Sequence, residues 1–222
     1  MFNNRHLLIL PIVMAALMFS GCATSRGIMP LSIPAATEAG ETRNVTIYIN
    51  SVTDQRVFEE KPDSPDIPSL GFGGAAAAAE DIKARAIARK RGGFGKAMGD
   101  ILLPEDQTVA SLTRQMLASA LRSAGYAIAD TAGTTGAVTL EVTINRYWGW
   151  LNLGAWALTI TAHSDMDIKA IYPDGKSKTY KVFAKGSHRP QTGSTANWQK
   201  AFRLMMEDFT LKLGEALEKE PI

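Results

Sequence analysis

Side chains able to do chemistry are few in this 222-residue chain. The one cysteine, Cys22, closes the small-residue run Ser20-Gly21-Cys22, and its thiol is a nucleophile open to covalent modification. Beyond it the histidines are His163 and His188. With no cysteine pair or His-rich spacing, a zinc site would need carboxylates brought from elsewhere. His163 stands at two-residue spacing from Asp165 and Asp167, which sets three polar groups on one strand face, either a weak cation site or a solvated surface. A hydrolase or ligand-binding site could be assembled from Asp54, Arg56, Asp100 and His163, but no Gly-x-Ser-x-Gly nucleophile motif accompanies them. Gly92-Gly93-Phe94-Gly95-Lys96 misses the phosphate-loop pattern, because Lys90 and Ala97 stand where Gly and Ser or Thr are needed. Gly71-Phe72-Gly73-Gly74 lacks the strand–turn–helix setting of a dinucleotide fingerprint. The expectation is no catalytic residue, no metal and no cofactor.

The surroundings of Cys22 give it a role. Arg5 precedes an apolar run from Leu7 to Phe19, and Ser20-Gly21 follow, the layout of a secretory signal peptide. The run is shorter than the roughly 20 residues a membrane span needs, and Pro11 interrupts it. Phe19-Ser20-Gly21-Cys22 resembles the lipobox of bacterial lipoproteins, with Phe19 where Leu is usual. That resemblance implies a diacylglycerol on the Cys22 sulfur, removal of residues 1–21, and acylation, typically by palmitate, of the new amino terminus. Three chains at about 0.8 kcal/mol per buried methylene would anchor the protein essentially permanently. Ala23 rather than Asp after the cysteine implies, by the same resemblance, the periplasmic face of the outer membrane.

Lys and Arg total 24 against 22 for Asp and Glu, a balance that argues against nucleic acid as a partner. The length suits one domain plus a tether. The domain reading is a signal peptide over 1–21, a flexible Pro/Ser/Gly tether over 22–43, and a single α+β domain over 44–222 containing a long irregular loop at 55–103.

Within that domain, Asn44 to Val52 alternates as a strand. Glu59 to Gly74 carries Pro62, Pro65 and Pro68 and reads as irregular. Ala75 to Arg91 is alanine-rich and basic, a short helix in expectation. Glu105 to Ala124 has apolar residues at three- and four-residue steps and reads as an amphipathic helix stopped by Gly125. Tyr126–Ala129 is a short strand. Val138 to Ile144, the even positions from Trp156 to Ala170, and Lys178 to Ser187 form a three-stranded antiparallel meander, turning at Pro173-Asp174-Gly175-Lys176. Ser194 to Lys219 is a second amphipathic helix. The expected fold is α+β: a mainly antiparallel sheet of about five strands, two helices on one face, and the long loop.

Two features are candidate contacts for a partner or a membrane. Lys83, Arg85, Arg89, Lys90 and Arg91 form a basic cluster in the long loop. It reads equally as an arm meeting lipid phosphates, peptidoglycan or an acidic protein, and as a solvated excursion. Trp148 and Trp150 share a strand face at a sheet end, either exposed for a contact or folded back over the helix ends.

The order of elements behind the lipobox, with Ile47-Tyr48-Ile49-Asn50, Asp54-Gln55-Arg56, Ala120-Leu121, Gly125-Tyr126 and the Val138–Tyr147 strand, resembles the YajG-like group of Gram-negative lipoproteins. It is more loosely similar to the auxiliary lipoproteins of envelope ABC transporters and to the lipoprotein partner of the lipopolysaccharide translocon. The resemblance implies a non-catalytic, membrane-anchored binding or scaffolding subunit that engages an envelope protein, lipid or peptidoglycan. The alternatives are an auxiliary subunit of a lipid or small-molecule envelope transporter, a periplasmic hydrolase, and a lipid carrier, which would need an apolar cavity between sheet and helices.

Overall fold

The alternation from Val138 to Ile144 starts the strand on which the whole sheet is assembled. In the computed structural model, which describes residues 26–35, 41–91, 97–154 and 157–222, that strand runs from Val138 to Leu153. In chain order the elements are β1 (Gly27–Ile28), β2 (Thr46–Asp54), α1 (Glu80–Arg85), β3 (Ala86–Arg91), β4 (Ala97–Leu102), α2 (Val109–Ser123), β5 (Ala127–Ala129), β6 (Val138–Leu153), β7 (Leu158–Ile171), β8 (Ser177–His188) and α3 (Thr195–Lys219).

Among the described residues the sheet has eight strands and is mixed, which overturns the expectation of about five mainly antiparallel strands with two helices. β6, β7 and β8 form an antiparallel meander. β2, in contrast, pairs in parallel with both β5 and β6, as a chain returning through a helix such as α2 must. β4 is antiparallel to β3, β1 is parallel to β4, and β3 joins β6 in parallel at Ala88 and Gly149. One edge of β6 is therefore shared: β2 takes it as far as Ile144 and the β1–β4–β3 wing takes it at Gly149. The sheet forks there.

The long loop expected over 55–103 is corrected by the same observations, since α1, β3 and β4 lie inside it. The basic helix expected over Ala75–Arg91 stops at Arg85, and Ala86–Arg91 is strand. Alanine and arginine are weak strand formers, so packing between β4 and β6 decides this segment over its propensity. The chain also enters the fold earlier than the expected tether allows. The Met29 N–H donates to the Leu102 carbonyl at 2.8 Å, and Met29 and Leu31 are buried in the main core.

α2 begins at Val109 rather than near Glu105, because Thr108 and Ser111 form a reciprocal capping box. Gly125 stops it at φ +86°, and a Cβ there would strike the Glu41 carbonyl. α2 and α3 cover one face of the sheet. Tyr147 stacks on Phe202 at 5.6 Å between ring centroids, and a Cβ on Gly149 would come within 2.8 Å of the Phe202 ring. At Gly186 a Cβ would overlap the Ala201 carbonyl and the Met205 amide of α3. Helix and sheet are thus in backbone contact there, which leaves no acyl-sized space at that crossing.

A β-bulge between Ile144 and Arg146 shifts the register of β6 against β7. The extra residue inverts the alternation. Val138, Leu140, Val142 and Ile144 face the helices; beyond the bulge Tyr147, Gly149 and Leu151 do so, while Trp148 and Trp150 turn to the opposite side. There the proline-rich segment lies over them. Phe58 meets Trp148 edge-on at 6.0 Å, the Trp148 indole N–H donates to the Pro65 carbonyl at 3.3 Å, and the segment closes on itself through Glu59 N–H to the Pro68 carbonyl at 2.8 Å. Leu70, Ala86, Leu102 and Trp148 form this second buried cluster.

Candidate functional site

Three polar assemblies hold the residues that a site would need. The first fills the fork. β2 ends at Asp54, two residues before Arg56, whose guanidinium reaches into the stretch of β6 edge between the two shares. Its Nε donates to Asp54 Oδ1 at 2.8 Å and its Nη2 to Asp54 Oδ2 at 2.8 Å. Nη1 donates to the carbonyls of Ala86 at 2.6 Å and Tyr147 at 3.1 Å, and Nη2 to that of Lys83 at 2.8 Å. All five guanidinium N–H groups are engaged. Arg56 is buried, so these bonds are what make its charge tolerable there. The Tyr147 phenol stacked nearby is pushed well above its ordinary pKa by burial, with Arg56 opposing the shift. Asp54 and Arg56 are thus joined to each other and to main chain.

The second assembly sits in the wing. Asp100 on β4 is fully buried. It accepts from the Gly71 N–H at 2.9 Å and the Arg26 Nε at 3.3 Å, and Arg89 lies 4.0 Å away. Arg89 and Arg91 both donate to the Ser69 hydroxyl, at 3.2 and 3.3 Å. Burial, and then the neighbouring Arg89, lower the Arg91 pKa.

The third is His163 on β7, which registers with Trp148. The strand face expected to be solvated is buried at this point: His163 is 3% exposed, with Trp150 edge-on at 4.8 Å and Phe183 at 6.1 Å. Burial, with Arg146 next and Lys185 in support and Asp66 opposing, pushes the imidazole down to about 4. Its Nε2 has no hydrogen-bond partner among the described residues. Asp167, farther along the same face, pairs with Asn145 and Lys181. Among the described residues no group of three His, Cys, Asp or Glu is placed to hold a metal ion.

The basic cluster does not act as one arm. Lys83 pairs with Glu80 at 2.8 Å, and Arg85 is buried with its Nη1 on the Leu103 carbonyl at 3.3 Å. Arg89 and Arg91 turn inward to Ser69 and Asp100, and the Lys90 ammonium lies against Gly27. Trp148 is fully buried and Trp150 half-buried, so the aromatic pair is folded over rather than presented. Trp156, Gly92 to Lys96 and Cys22 lie outside the described residues. Sequence reasoning missed Arg26, Ser69 and Phe72. Only Arg26 had a signal, as a lone cation just after Cys22.

A groove of about 610 Å3 opens between α2, α3 and residues 41–43, lined by Glu41, Arg43, Ser123, Thr210 and Glu218 among others. None of Asp54, Arg56, Asp100 or His163 lines it.

No protein-family model matches the chain, so the YajG-like likeness stays one of pattern. No curated protein matches it. Among solved structures, a Xanthomonas campestris protein of the DUF330 family aligns over 87% of this chain and 98% of its own, at 11% identity and a TM-score of 0.46. A minor lipoprotein of Acinetobacter baumannii covers 48% of this chain and 81% of its own, at 14% identity and a TM-score of 0.35. A hypothetical protein of Chlamydia trachomatis covers 79% and 96%, at 12% identity and a TM-score of 0.31.

Proposed function

We propose that this protein is a non-catalytic lipoprotein of the bacterial envelope, anchored through Cys22, whose folded domain binds or scaffolds another envelope component. The observation that carries the reading is Cys22 itself, the sole cysteine, closing a small-residue site behind a thirteen-residue apolar run from Leu7 to Phe19. The polar residues a hydrolase would need favour it further. Asp54 and Arg56 satisfy each other and three carbonyls, Asp100 is held by Arg26 and Gly71, and His163 lies apart from them on β7 under aromatic rings. A carboxylate whose lone pairs are filled by its own fold is a poor general base. Outer-membrane residence and a protein, lipid or peptidoglycan partner belong to the same proposal.

The test is Cys22→Ser. Labelled palmitate should enter the wild-type protein and not the variant, which should fold normally and leave the membrane fraction. Retention of the variant on membranes after a high-salt wash would overturn the anchor.

A further inference from the structure

We infer that the free margin of the β1–β4–β3 wing is a membrane-contact surface, pressed against the headgroup layer of the bilayer that holds the Cys22 lipid. The inference rests on lipid attachment at Cys22 and adds the face that this attachment selects. Strand β1 begins at Gly27, so Arg26, bonded to Asp100, is already part of the domain. Only Ala23, Thr24 and Ser25 intervene. Four residue steps at no more than about 3.6 Å each hold Arg26 within about 14 Å of the Cys22 backbone. The headgroup layer takes up about 5–8 Å of that. A domain on so short a lead cannot turn its far end to the membrane.

What the lead brings down has the composition of an interfacial surface. Ile28, Phe72 and Met98 are 54%, 49% and 46% exposed. Ile28 and Phe72 share one side of the wing, and Met98 lies near the start of its strand β4. Ile28 registers with Leu102 on β4, and Asp100 alternates with Leu102 on the same strand face, while Met98 lies where the register of β4 against β3 shifts. Phe72 joins them because the Gly71 N–H is bonded to Asp100 and the Arg26 guanidinium stacks on the Phe72 ring at 4.7 Å from its centroid. Beside these apolar side chains stand Arg26, stacked on Phe72, and Lys90 against Gly27, while Arg89 and Arg91 turn inward to Ser69. Among the described residues Asp100, buried beneath, is the one acid paired with Arg26 and Arg89. Cations with apolar stems beside exposed Ile, Phe and Met match a layer of phosphates over acyl chains. The opposite end of the sheet makes a contrast. Thr135 and Asp174 flank the start of β6, where Thr139 registers with Ile171, and eleven residues of strand place that start about 35 Å from Gly149.

The experiment uses the full lipidated protein, in which the Cys22 sulfur is a thioether and does not react with maleimide-type labels. Ile28→Cys, Phe72→Cys and Met98→Cys, with Thr135→Cys and Asp174→Cys as controls, each receive a bimane fluorophore. The proteins are reconstituted into phosphatidylethanolamine–phosphatidylglycerol vesicles containing brominated lipid. Quenching at 28, 72 and 98 and its loss at 135 and 174 are expected. If the protein stays on the vesicles through a high-salt wash but all five labels are equally unquenched, the contact surface is overturned and the anchor stands. Release by the wash overturns both.

Discussion

The two halves of β6 are built from the same kind of sequence and end in different surroundings. From Val138 to Ile144 every second residue is buried and the others are half in water, with Lys169 and Glu141 pairing across the strands at 3.2 Å. From Tyr147 to Gly149 three consecutive residues are buried. The first half is one wall of a two-layer sandwich, and the second is the middle of three layers, helices on one side and the proline-rich segment on the other. The difference comes from one inserted residue at the bulge and from the fork. Once the strand changes face, its tryptophans need cover, and the excursion after Arg56 supplies it.

This contrast can be attacked directly. Trp148→Ala should destabilise the protein by about 3–5 kcal/mol in urea unfolding, as truncation of a fully buried aromatic does, while Thr139→Ala in the first half should stay within about 0.5 kcal/mol. Equal losses would mean the proline-rich segment is not a packed layer. The next effect in size is pH-dependent. An unfolded imidazole titrates near 6.5 and His163 in the fold near 4, so between those values the unfolded chain binds more protons and stability rises with pH. The contribution, on the order of 3 kcal/mol, is fully present above about 6.5 and is lost as pH falls through 4. His163→Gln should flatten the dependence of the melting temperature on pH across that window; an unchanged slope would place its origin elsewhere. Smallest of all, Lys169→Ala should cost less than about 0.5 kcal/mol, because an exposed pair gains little over water.

How much of this was legible follows from what each pattern encodes. The alternation of Val138 to Ile144, the three–four spacing of Leu112, Met116 and Leu117, and Gly125 and Gly175 at positive φ are local signals, and they place their elements. Strand direction is not local: Ile47 and Ile49 alternate in the same way whether the partner runs parallel or antiparallel, so the parallel pairing of β2 stayed invisible. The strand at Ala86–Arg91 was masked by residues that favour helix, and its identity comes from β4 and β6 on either side. The inward turn of Arg89 and Arg91 depends on Ser69 and Asp100, 20 and 11 residues from Arg89, a pairing that no spacing rule supplies. His163 looked wet because alternation reports one covered face, and the second cover comes from a segment with no periodicity.

Arg56 carries a mechanical consequence. If the domain hangs from Cys22, a tug on the lipid enters through β1 and is shared between the main core, through Met29 and Leu31, and the wing, through β4 and β3. The wing meets the body of the sheet at Ala88 against Gly149, beside the guanidinium that ties the carbonyls of Lys83 and Ala86 to that of Tyr147. One side chain therefore rivets the wing to the rest of the domain where the two strands meet. It is held by charge-assisted bonds to Asp54 and three carbonyls, each about twice as strong as a neutral hydrogen bond.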